Sequence, residues 1–134
     1  MSPDFTAAAD WSALLDWYVE AEEPINDLDS CRVIVDSMMI GTAGSNLVIA
    51  PTLNDLTLGA ELWLLSHPCP IRWNCDHLLA IVNVYRAIGE LIVGVGGDPA
   101  DAEEWDLQDK VVEAGRLLDE AKYIIMRLKL VLKP

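Results

Sequence analysis

At 134 residues, 52% hydrophobic and 23% charged, the chain is long enough for one continuous core and too apolar to be intrinsically disordered. Its net charge of −13 disfavours direct binding to nucleic acid or to anionic membranes, because a body this acidic repels phosphate. The charge is uneven: residues 1–109 hold 19 acids against 3 bases, whereas residues 110–134 hold 3 acids against 6 bases.

The opening "MSPDFTAAAD" has no basic region followed by an apolar stretch, so no signal peptide is expected. Ser2 suits a helix cap and Pro3 a first helical turn. Ala8, Trp11, Leu15 and Tyr18 follow at spacings of 3 and 4, which predicts one buried helical face. Asp16, Glu20 and Glu23 share another face, and Pro24 is expected to end this first helix. A second helix over about 27–43 would align Leu28, Cys31, Val35, Met38 and Thr42, although its "RVIV" also suits a short strand. The stretch "GTAGSNLVIAP" (41–51) reads as an extended connection with an apolar anchor.

A third helix, about 53–66, sets Leu56, Ala60, Trp63 and then His67 in line. The fourth, about 75–94, aligns Leu78, Ile81, Tyr85, Ile88 and Leu91 or Ile92, with Val95 beyond. Its window 78–95 is long enough for a membrane span, but Asn83, Arg86 and Glu90 make insertion costly, so a buried core helix is expected. Gly89 within it points to a close helix crossing. The strongest periodicity follows Asp98 and Pro99, an N-cap and first-turn pair. Leu107, Val111, Ala114, Leu118, Ala121, Ile125, Leu128 and Leu132 form a heptad seam, with Leu117, Ile124 and Val131 as a second apolar line beside it. A single helix over 99–132 would be about 50 Å long, while a compact chain of this size has a radius of gyration near about 14 Å. Self-association as a dimer through Leu117, Ile124, Leu128 and Val131 is therefore expected. The fold class that emerges is all-α, a compact bundle of about five helices forming a single domain over 1–134.

Four stretches carry candidate chemistry. "HPCPIRWNCDH" holds His67, Cys69, Cys75 and His77, all good zinc ligands. Each pair has only one intervening residue, whereas structural zinc sites favour two to four. Pro68 and Pro70 fit a helix stop, and Asn74 or Asp76 a cap for the next helix, which would leave Cys75 in a first turn that activates thiols. "GVGGD" (94–98) lacks the pattern of a phosphate loop and reads as a C-cap and hinge. No Glu-x-x-His pair, nucleophile–base arrangement or Glu-Glu-x-x-Glu segment is present, so neither catalysis nor a cofactor is expected.

The acidic surface is the fourth stretch. Asp98, Asp101, Glu103, Glu104, Asp106 and Asp109 are largely helix-start acids. Asp16, Glu20, Glu22, Glu23, Asp27 and Asp29 cluster with less local reason, and Trp17 among them suits either a binding hot spot or the core. The expected function is a non-enzymatic interaction protein: an acidic inhibitor, anti-defence or adaptor protein whose residues Asp16, Trp17, Glu20, Glu22, Glu23 and Asp27 meet a basic or nucleic-acid-binding protein. Three cysteines with no sign of export suggest a cytoplasmic setting with reduced thiols. A zinc- or thiol-dependent regulator and a structural assembly subunit are the alternatives.

Overall fold

The structure, a computed structural model, describes residues 8–70 and 72–132. Five α-helices follow one another: α1 (Ala8–Glu20), α2 (Glu22–Ile40), α3 (Ala43–Ser66), α4 (Arg72–Gly94) and α5 (Glu104–Leu132), with a 3-10 turn at Pro99–Asp101 before the last. The chain is an all-α bundle, and no strand occurs among the described residues. The "RVIV" run lies inside α2. The Ser2 and Pro3 start signal lies outside the described residues, as do the side chains of Ala8, Trp11, Val131 and Leu132.

Helices α2 to α5 run up, down, up and down, and short connections make each antiparallel to the next. Pairs across the bundle fix the directions: Leu53 of α3 lies against Gly89 of α4, and Arg32 and Asp29 of α2 pair with Asp119 and Lys122 of α5. Helix α4 packs against α2, α3 and α5 and forms the centre, with Leu78, Ile81, Tyr85, Ile88 and Ile92 buried. Among the described residues it is also the one helix long and apolar enough to cross a membrane. Its Arg86 is half-buried and bonded to Glu61 of α3 at 3.0 Å.

Three boundaries differ from the sequence reading, each for a physical reason. Pro24 does not end a helix. Helices α1 and α2 meet at the fully buried Ala21, and Pro24 sits in the first turn of α2, where a missing N–H has no acceptor within α2 to lose. The stretch 41–51 is not extended: Gly41 and Thr42 make the whole turn, and Thr42 Oγ1 caps α3 by accepting from the Ser45 N–H. Pro51 then lies inside α3 rather than at its edge. The last helix begins at Glu104 instead of Pro99, because Asp98 caps only the 3-10 turn, through the Ala100 N–H at 3.0 Å.

The "GVGGD" stretch closes α4 as a Schellman motif. Gly97 N–H reaches the Ile92 carbonyl at 2.8 Å and Gly96 N–H the Val93 carbonyl at 3.0 Å, with Gly96 at φ +78° and Gly97 at φ +92°. Asn46, buried at the start of α3, donates both amide hydrogens, to Met38 and Gly97 carbonyls at 2.9 and 2.8 Å. One side chain thus ties the end of α2, the start of α3 and the turn after α4.

At the opposite end α1 lies against α5 and the start of α2. With α5 about 43 Å long at about 1.5 Å per residue, its C-terminal half projects past α4 and is covered by α1 and the first turns of α2. Within the chain Leu128 is only 7% exposed, and Leu117 and Ile124 are half-buried against the same core. Among the described residues, the exposed large apolar side chains of α5 are Val112, Tyr123, Met126 and Leu130.

Candidate functional site

The acidic cluster around the α1–α2 junction splits into two groups. Glu22 pairs with Lys129 at 3.5 Å and Asp29 with Lys122, so both are answered by the basic end of α5. Arg32 of α2 holds Asp119 of α5 at 2.8 Å, which keeps the Asp119 carboxyl below its ordinary range and the guanidinium firmly charged. Asp16, Glu20 and Glu23 are exposed and form no ion pair among the described residues. Asp27 turns toward α3: its Oδ2 is 3.9 Å from where a side chain on Gly59 would begin, and burial, then Glu23, pushes its carboxyl up.

Trp17 is not part of this surface. It is 5% exposed, its ring set edge-on to Tyr18 at 5.0 Å and tilted against Trp63 at 5.8 Å. Its indole N–H donates to the His67 carbonyl at 2.7 Å, satisfying one of the carbonyls left open at the end of α3. That bond allows a polar-tipped aromatic to sit inside without cost to its N–H.

The 67–77 corner is organised around main-chain carbonyls. His67 stacks on Trp63, ring centroids 4.2 Å apart, and its Nδ1–H donates to the Trp63 carbonyl at 2.8 Å. The His77 Nε2–H donates to the Leu117 carbonyl of α5 at 2.9 Å, and the Cys75 thiol points to the Leu64 carbonyl at 3.8 Å. Cys69 lies near Tyr18, whose phenol is raised first by burial and then by this neighbour. Among the described residues no group of three or more His, Cys, Asp and Glu side chains is close enough to share a metal ion. The four candidate ligands lie at the end of α3 (His67), in the connection (Cys69) and in the first turns of α4 (Cys75 and His77). Asn74 does not cap α4 either; it is buried in the first turn and accepts from the Tyr18 hydroxyl at 2.6 Å.

Two further features are missing from the sequence reading. A groove of about 440 Å³ runs between α3 and α4, lined by Leu47, Pro51, Asn54, Gly89, Val93 and Gly94 among others. Small residues open it. Pro51, without an N–H, cannot donate the usual helical hydrogen bond to the Leu47 carbonyl. A second, more polar cleft of about 510 Å³ lies between α2 and α5, with Arg32, Tyr85, Arg116 and Asp119 on its walls. Gly115 admits the Arg32 guanidinium there, 3.1 Å from the position a β-carbon would take. A glycine beside the heptad seam, inside a helix, was the sequence signal for that contact.

No protein-family model, curated protein or solved structure matches this chain.

Proposed function

We propose that the chain is a cytoplasmic, non-catalytic interaction protein that holds a basic protein partner on the acidic edge formed by the end of α1 and the start of α2. One observation carries this reading. The cations of α5 answer Glu22 and Asp29, while Asp16, Glu20 and Glu23 stay exposed with no ion pair among the described residues. Such a row of like charges repels itself and gains most from a positive surface brought to it from outside. Inhibitor, anti-defence and adaptor roles all share this chemistry.

The test uses a basic protein recovered from source cells at low salt and then purified. Replacing Asp16 with Asn and Glu20 and Glu23 with Gln removes three charges without touching the intrachain pairs. Affinity should fall at least about tenfold, with a weaker dependence on salt and an unchanged helical circular dichroism spectrum. Affinity within about twofold of the wild type would move the interface elsewhere.

A further inference from the structure

Helix α3 is apolar on all sides. Asp55 and Glu61 are its two charged residues in 24, and Glu61 is bonded to Arg86. A helix of that composition is normally enclosed, yet only one face of α3, with Asn46, Leu53, Thr57, Ala60 and Leu64, is buried in the bundle. On the other face Leu47, Leu58, Leu62 and Leu65 are exposed, Leu62 by 56% and Leu65 by 66%. Leu47 and Leu65 are 18 residues apart, about five full turns, and Leu58 and Leu62 fall within the same arc. The row borders the apolar groove beside Gly89 and Gly94.

We propose that this face, the α3 leucine row with the neighbouring α3–α4 groove, is where a second copy of the chain docks. Charge selects that occupant. Each copy carries −13, so two copies approach most easily where charge is answered or sparse: here Arg86 neutralises Glu61, and Asp55 and Glu90 are the face's acids with no ion pair among the described residues. A basic partner would instead be drawn to the acids on α1 and α2. The geometry is also self-complementary, as a two-fold contact requires: the row supplies side chains that project, and the groove supplies the recess that receives them. A face about 36 Å long and two helices wide, about 20 Å, covers about 700 Å², close to the roughly 800 Å² per partner of a stable interface. This contact is separate from the α1–α2 edge and replaces the α5 line, whose Leu128 is used within the chain.

Light scattering on the full chain at about 100 µM decides the matter. The wild type should have the mass of two 14.8 kDa chains, 29.6 kDa. A chain carrying Leu62→Glu and Leu65→Glu should fall to 14.8 kDa with an unchanged helical spectrum, while one carrying Tyr123→Glu and Met126→Glu on α5 stays at the dimer mass. A monomeric wild type overturns the proposal, as does a dimer that survives the α3 changes or is lost with the α5 changes. Binding of a monomeric wild type to neutral phosphatidylcholine vesicles, abolished by the α3 changes, would give the face to a lipid surface and equally overturn it.

Discussion

Gly96 and Gly97 allow a paired test of how the upper end of the bundle is held. Both have positive φ, so alanine at either position meets left-handed strain of about 1–2 kcal/mol, offset by about 0.4–1 kcal/mol from a less flexible unfolded chain. At Gly96 a β-carbon enters open space, so the net loss should be about 0.5–1.5 kcal/mol. At Gly97 the same carbon would lie 2.5 Å from the Ala43 carbonyl oxygen and 2.8 Å from Leu47 Cγ. The turn must move away from α3, which parts Gly97 from the buried Asn46 amide and adds about 1–3 kcal/mol. A total near about 2–4 kcal/mol follows for Gly97→Ala. Unfolding entropy of about 2.1 cal/mol/K per residue gives about 280 cal/mol/K for the chain, or about 3.6 °C per kcal/mol. Thermal melts followed by circular dichroism should show Gly96→Ala down about 2–5 °C and Gly97→Ala down about 7–14 °C. Equal losses would refute the argument, because the two positions differ only in what the new carbon touches.

Other expectations are simpler. Leu128→Ala should lose about 2–5 kcal/mol in urea unfolding, whereas Met126→Ala, two residues away and half exposed, should lose under about 0.5 kcal/mol; the reverse order would place the wrong face of α5 inside. Zinc measured in native protein should be well under one ion per chain, since His67, His77 and Cys75 each face a main-chain carbonyl; one tightly held ion per chain contradicts that geometry. The Asp27 carboxyl is raised by burial and by Glu23, so the folded chain keeps its proton where the unfolded chain has lost it. Its effect on stability therefore worsens as pH rises from the ordinary Asp range through the raised value. Asp27→Asn should raise the melting temperature at pH 7 and leave it unchanged near about pH 3, and an equal gain at both would point to packing instead.

Periodicity placed α4 and α5 well because both have one apolar stripe. The residues at Leu78, Ile81, Tyr85, Ile88 and Ile92, and at Leu107, Ala114, Leu118, Ala121 and Ile125, are buried as their spacing requires. Helix α3 defeated the same reasoning. With leucines on every side its sequence prefers no face: of the expected line Leu56, Ala60, Trp63 and His67, Ala60 is fully buried, Leu56 and Trp63 are half-buried and His67 is exposed, while Leu53 and Leu64 are inside. Gly41, Gly44 and Pro51 also masked its first turns, whose real signal was the Thr42 cap. The candidate site was harder to read, since it depends on partners far apart in the chain. Trp17 is drawn inside by a carbonyl 50 residues away, and Arg32 meets Asp119 across 87 residues. Local spacing carries no information about such pairs.

The distribution of charge links the fold to both proposals. Surface ion pairs such as Lys129–Glu22 stabilise by at most about 1 kcal/mol, so the basic end of α5 contributes less to stability than to register, aligning α5 antiparallel to α2. With Lys122 and Lys129 used there, the chain is left with unanswered acids on α1 and α2 and with an exposed leucine row on α3. These lie on different helices, so occupation of one leaves the other open. A variant lacking the charges at Asp16, Glu20 and Glu23 should therefore still dimerise, and one altered at Leu62 and Leu65 should still bind the basic partner as a monomer. Loss of both properties from either variant would mean a single shared interface, and would require the acidic edge and the leucine row to act as one surface.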